Sequence, residues 1–167
     1  MDSDDYAEPD MLEILYKNLQ ESNTDICVCG FFGNEYEESE LCDTVSSEEA
    51  LKKIAVGDFL FGVLWNKLYK KEIIQNVEMP QLVCCEDLVF NYYAFKNCKL
   101  VKIIKDKKYH YVYHNNSITR VHFNIGSFDA VKSKQIILNH AQGTALESYA
   151  VKGLITSCFV ALSGAIK

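Results

Sequence analysis

The chain has 167 residues, 49% of them hydrophobic and 24% charged. That is enough for one domain burying roughly 70% of its unfolded surface, and the balance excludes a disordered or fibrous chain. Seventeen basic against 23 acidic residues give a formal net charge of −6, which excludes a broad nucleic-acid-binding surface. No repeat, low-complexity stretch or linker divides the chain, so residues 1–167 read as a single domain. Met1 is followed at once by acidic residues, not by a signal peptide. The longest uncharged run near the end, Gly153 to Ile166, falls short of the ~20 residues of a spanning helix, so no membrane span is expected. Seven cysteines occur without a CxxC pair, and reduced, mostly buried thiols of a cytosolic protein are expected.

Pro9 suits a first helical position, and Asp10 and Glu13 complement the helix dipole. Leu12, Leu15, Tyr16 and Leu19 then form one apolar stripe at helical spacing. Asp25 to Phe32 is apolar on both faces, as in a strand buried on both sides, with Cys27 and Cys29 on one face. Residues 33–43 are acidic and loop-like. Ser46 and Glu49 have capping-box spacing before Ala50, Leu51, Ile54 and Ala55, and Gly57 is a C-terminal stop. After Pro80, Glu86-Asp87 opens a helix in which Leu88, Tyr92 and Phe95 recur. Leu100 to Ile104 and Tyr109 to Tyr113 read as two strands around a turn at Asp106-Lys107. In the second, Tyr109, Tyr111 and Tyr113 share one face, and His110 and His114 the other. From about Ser127 two helices follow, with Leu146, Ala150, Gly153, Leu154 and Cys158 as an inner face. Mixed elements with long apolar runs make this an α/β domain.

Four groups carry candidate chemistry. Asp2 and Asp4 form an Asp-x-Asp, whose carboxylates suit a hard divalent cation, although nothing upstream holds them and a solvated capping cluster is the plainer reading. Glu86 and Asp87 start a helix, where carboxylates are stabilised as anions and one aimed into a cleft accepts a proton from a hydroxyl. Trp65, the single tryptophan, precedes Asn66 and Lys67, and serves either as core or as a sugar-stacking face. The polar run from Tyr113 through Ser117 ends at Arg120, the single arginine, whose fork suits a diphosphate; a solvated turn competes evenly.

Taken in order, DSDDYAEPDMLEILYKNLQESNTDICVCGFF, LWNKLYKKEII, EDLVFNYYAF and YHYVYHNNSITR closely resemble the family-2 glycosyltransferases with a GT-A fold, of the bacterial capsule and exopolysaccharide type. The resemblance covers residues 1–120 as the acceptor-side part, and 121–167 only as a C-terminal helical segment. It implies an inverting transfer of a sugar from a nucleotide-sugar donor to a hydroxyl of a saccharide or lipid-linked acceptor. Asp2 and Asp4 would hold Mg²⁺ or Mn²⁺ against the diphosphate. Asp87 would be the general base with Glu86 beside it, Trp65 and Lys67 would line the acceptor side, and Ser117 and Arg120 would close near the diphosphate. The family's nucleotide-binding half, its Pro-x-Tyr-Asn-like turn and its Asp-Asp-Gly-Ser-like segment have no counterpart here, and Cys85 stands where the family has Gly before Glu-Asp. The expected fold is therefore an incomplete GT-A-like domain without its N-terminal nucleotide-binding half, inactive as it stands. An open sheet edge and an apolar patch left by that half would favour a homodimer. The implied location is the cytoplasm, with peripheral association at the inner face of the membrane. The rival reading is a non-catalytic binding or assembly module derived from a glycosyltransferase, and a thiol-metal protein ranks third.

Overall fold

The structure, a computed structural model, describes residues 3–33, 43–112 and 125–166. In chain order these form β1 (Tyr6–Ala7), α1 (Met11–Glu21), β2 (Ile26–Phe32), β3 (Thr44–Ser46), α2 (Ser47–Val56), α3 (Phe59–Gly62), β4 (Lys67–Tyr69), α4 (Lys71–Ile74), α5 (Glu86–Asn97), β5 (Leu100–His110), α6 (Ile125–Ala141) and α7 (Glu147–Ala165). The sheet runs β1-β5-β2-β4, with β3 also paired to β5. β2 is parallel to β5 and antiparallel to β4.

The two-faced apolar run of β2 makes the fold three-layered. Ile26 and Val28 join Val101 and Ile103 in a core shared with α2, α5 and α6, and Cys27 and Cys29 join Ile104 in a second core under α1. Residues 26–29 are fully buried, as a central strand requires; the end of the strand opens, and Phe32 is exposed. The capping box of α2 is formed, with Glu49 N–H donating to Ser46 Oγ and Gly57 closing the helix at φ 99°. Helix α5 starts at Glu86, where the paired acid places it.

Several expectations fail for physical reasons. The apolar stripe of α1 is rotated: Met11, Leu15 and Leu19 are buried, whereas Leu12 and Tyr16 face solvent. Helix α1 begins at Met11 and not at Pro9; Asp10 stands just before it, with its carboxylate held by Lys108 Nζ at 2.7 Å. The strand–turn–strand expected at residues 100–113 is one strand, β5. Both of its ends pair in parallel with β2, so the chain cannot reverse between them. The Asp106-Lys107 signal marks an irregularity instead: from Val28↔Ile103 to Phe32↔His110, β5 uses three residues more than β2. An odd surplus exchanges the faces of the strand, and Tyr109 accordingly lies with Ile104 on the α1 side.

The expected open sheet edge is also modified. β1, β3 and β4 are two or three residues long, and short edge strands present little backbone for pairing. The exposed apolar surface lies on α7. Ala150 and Gly153 of that helix are buried, Leu146, Leu154 and Cys158 half-buried, and Val151, Ile155, Phe159, Leu162 and Ile166 exposed. At 19 residues, with 11% of its apolar window buried, α7 is long and apolar enough by composition to cross a membrane. The uncharged-run expectation missed this because a span tolerates Glu147 and Lys152 near one end.

Candidate functional site

The acidic N-terminal segment is held from downstream, contrary to the expectation of a loose end. β1 pairs with β5 through Tyr6↔His110 and Ala7↔Tyr109. Asp5, buried, accepts from Tyr109 OH at 2.7 Å and from the Val112 N–H at 2.8 Å. His110 stacks between Tyr6 and Phe32, with centroids at 4.1 and 4.3 Å, on the face opposite Tyr109. Asp4 is exposed next to this anchor, and Asp2 lies outside the described residues. Among those residues no group of three or more His, Cys, Asp or Glu side chains is placed to hold a metal ion. Asp4, a carboxylate beside the β1 anchor, fits a hard cation in kind, provided other oxygen ligands such as water or phosphate complete the coordination.

Trp65 joins this segment to the rest of the candidate site. Its ring stacks on Tyr109 at 4.2 Å and on Tyr111 at 5.8 Å, and meets Phe31 edge-on at 5.1 Å. It is half-buried, with its ring packed in this aromatic cluster. Asp5, Tyr109 and Trp65 thus form one connected run.

Lys67 points inward and is buried. Its Nζ donates to Leu60 O at 2.7 Å, to Asn66 Oδ1 at 2.8 Å and to Val63 O. Asn66 Nδ2 in turn donates to Cys29 O and Leu60 O, at 3.0 and 3.3 Å. From α5, Asn91 Nδ2 donates to Gly62 O at 2.6 Å and Val63 O at 3.0 Å, while Asn91 Oδ1 accepts from Tyr69 OH at 2.5 Å. Together with Asn66 and Asn91, the lysine ties down the carbonyls around the short helix α3, which a last helical turn cannot satisfy from its own backbone. Burial pushes the Lys67 ammonium down to about 7, with Asp87, Cys29 and Asp58 pulling the other way. Tyr69 is pushed well above its ordinary value, by burial first and by Asp87 second.

Asp87 therefore lies within electrostatic reach of this network. It is half-buried in the first turn of α5, and its Oδ1 accepts from the Leu88 N–H at 2.8 Å. Glu86 is half-buried beside it. Cys85, before them, has φ 63°. That is the left-handed region where glycine is at ease, so the position tolerates the glycine that the resemblance puts there. Ser117 and Arg120 lie outside the described residues. The sequence reading gave no site role to Asp5, Asn66, Tyr69 or Asn91. The one signal available was a polar residue among apolar ones, as with Asn91 inside the buried face of α5.

Three layers around a parallel β2–β5 pair define an α/β domain, and its sequence and fold are similar to those of glycosyltransferases. Over 134 residues, 72% of the chain, it is 29% identical to EpsH and 25% identical to EpsJ, two Bacillus subtilis (strain 168) proteins named as glycosyltransferases. The chain spans 38% and 39% of their respective lengths. Its fold is similar to that of Staphylococcus aureus TarS 1–349 in complex with UDP-GlcNAc, with a TM-score of 0.66 at 17% identity over 98% of this chain and 48% of that one. The UDP complex of the same protein gives 0.60 at 16% identity, over 95% of this chain and 44% of that one. No family model matches the chain.

Proposed function

We propose that the chain is the acceptor-side part of a family-2 glycosyltransferase of GT-A architecture, inverting, and acting in bacterial polysaccharide synthesis. The observation that carries this reading is convergence. Residues 65–67, residues 87–91 and the anchored acidic segment come from three separate stretches of the chain: Lys67 and Asn91 share the Val63 carbonyl with Asp87 in electrostatic reach, and Tyr109 links Trp65 to Asp5. In the reaction Asp87 removes the proton of the acceptor hydroxyl as that oxygen attacks the anomeric carbon, with Glu86 at its side. Trp65 offers the acceptor sugar a stacking face. Lys67, holding α3 from within, acts as a positioning residue. A divalent cation held by Asp2 and Asp4 would supply charge neutralisation at the leaving diphosphate, and Ser117 and Arg120 would contact the same group. The donor is a nucleotide sugar, a reading supported by TarS, whose fold this chain shares and which is seen with UDP-GlcNAc. The acceptor is a saccharide or a lipid-linked one.

A cytoplasmic location is supported by six free cysteines among the described residues, as expected of a reducing compartment. The exposed stripe of α7 supports a homodimer in solution, peripheral attachment to the inner membrane face being the other outcome of its test.

The deciding experiment replaces the matching segment of EpsH with this chain and follows UDP release from a panel of UDP-sugars with Mn²⁺. Turnover that falls about 10²–10⁴-fold in Asp87→Asn, with UDP binding retained, is the expected result. Turnover unchanged by Asp87→Asn would overturn the assignment. A folded, inactive chimaera beside an active parent would favour the assembly module. The 167-residue chain alone is expected to bind UDP weakly or not at all by calorimetry.

A further inference from the structure

Cys84 and Cys85 stand immediately before α5 with their sulphurs 3.5 Å apart, and both are half-exposed. Their backbone is fixed. Asp129 of α6 accepts from the Val83 N–H at 2.7 Å and also draws on the Cys84 N–H, and Cys85 occupies the left-handed region at φ 63°. A residue with a Cβ rarely adopts that conformation. Here it directs two adjacent side chains, which would diverge in an extended strand, toward one another.

We propose that Cys84 and Cys85 form a thiol-modification site in which Cys84 is the nucleophile and Cys85 its hydrogen-bond donor, taking a disulfide reagent at Cys84 alone and a trivalent aryl arsenical across both sulphurs. The surroundings support these roles. The contact permits either sulphur to donate; with Cys85 as donor, the bond holds the Cys84 thiol below its ordinary value, against burial and the carboxylates of Glu86, Asp87 and Asp129. The same bond, burial and the charges of Cys84, Asp87 and Glu86 push Cys85 up. In the core, burial pushes Cys27, Cys29 and Cys98 to about 12, 11 and 12, which leaves almost no thiolate at neutral pH.

Each step balances. The Cys84 thiolate attacks one sulphur of an aryl disulfide, the mixed disulfide forms and the aryl thiolate leaves. A second attack by Cys85 would need a disulfide between neighbours whose Cα atoms are ~3.8 Å apart, short of the usual 4.4–6.8 Å, so the reaction stops at the single adduct. An arsenoxide needs no S–S bond: two thiols lose their protons, two As–S bonds form, and the arsenic-bound oxygen leaves as one water without a change of oxidation state. None of this depends on the sugar-transfer reading.

The test uses the whole chain under native conditions. With dithiobis(nitrobenzoate) at pH 7, one thiol should react about tenfold or more faster than any other, and peptide mapping should place it at Cys84. Cys84→Ser should abolish the fast phase. Cys85→Gly, which suits the backbone and so should fold, should slow it several-fold. Phenylarsine oxide should bind one equivalent to the native chain and be lost from both variants. A fast phase mapping to another cysteine such as Cys158, a fast phase surviving in Cys84→Ser, or undiminished arsenical uptake by Cys85→Gly would each overturn the proposal.

Discussion

Lys67 offers the sharpest test of the network beneath Asp87, because its buried ammonium has three neutral acceptors. Burial sets its folded value at about 7, against ~10.4 in an unfolded chain. Between these values the unfolded state binds more protons than the folded one, so stability rises with pH. The penalty is fully present below pH 7 and is relieved as pH climbs, at about 1.4 kcal/mol per unit. From pH 7 to 9 that amounts to roughly 2–3 kcal/mol. Above pH 9 the buried thiols reverse the trend: Cys27, raised from 9.0 to about 12, keeps its proton when folded and loses it when unfolded. The informative window is therefore pH 7–9. Lys67→Met keeps the stem packing and removes the titration. It strands Asn66 Oδ1, while Leu60 O and Val63 O keep their donors from Asn66 and Asn91, a cost of about 1–3 kcal/mol that does not vary with pH. Lys134, lowered to about 8 by burial, contributes equally to both proteins and cancels. Thermal melts across the window should show wild type gaining on Lys67→Met by roughly 4–12 °C, at about 2–4 °C per kcal/mol for a chain of this size. Parallel curves would refute the reasoning: Lys67 would then be charged and solvated in the folded state, and could not be the internal tie of α3.

Two further outcomes follow from α7. A Cβ at Gly153 would come within 2.0 Å of Ala55 O, a backbone atom that cannot rotate away. Gly153→Ala should therefore lift α7 off α2 at about 1–3 kcal/mol, seen as a fall of several degrees in Tm; an unchanged Tm would mean that the helix is not docked there. Phe159, 68% exposed, sits mid-stripe. Light scattering should give a concentration-dependent mass above 19.0 kDa for the native chain and a monomer for Phe159→Glu. A native monomer at every concentration, with vesicle binding that Phe159→Glu abolishes, would move the stripe from self-association to lipid.

Local chemistry made much of the fold legible. Ser46, Glu49 and Gly57 define α2 because a capping box and a left-handed stop act over a few residues. Asp25 to Phe32 could only be a buried strand, since both of its faces are apolar. The errors came where distant partners decide. The stripe of α1 was misread by part of a turn because Met11, an apolar residue outside the 12-15-16-19 pattern, fits the core beside Cys27, Cys29 and Tyr109. Asp10 was legible as a charge at the start of a helix, but not its partner Lys108, 98 residues away. The candidate site shows the same division. Asp87 and Trp65 were visible as residue types, whereas Asn91 carried only the signal of a polar residue among apolar ones, which does not say what its amide meets until its acceptors, Gly62 O and Val63 O, are in place.

The irregularity in β5 links fold and site. If β5 matched β2 residue for residue, the strand parity that puts Val101 and Ile103 on the α5 side would put Tyr109 there too. The three-residue surplus turns Tyr109 toward α1, where its ring meets Trp65 and its hydroxyl reaches Asp5. The same turn puts His110 on the other face, between Tyr6 and Phe32. Asp5 is buried next to Asp4, so the position of the exposed carboxylate is set by a register shift about a hundred residues downstream. The lysine-rich stretch Lys105 to Lys108, which reads as a solvent-exposed turn, is thus the means by which the acidic segment and the tryptophan are brought to one place.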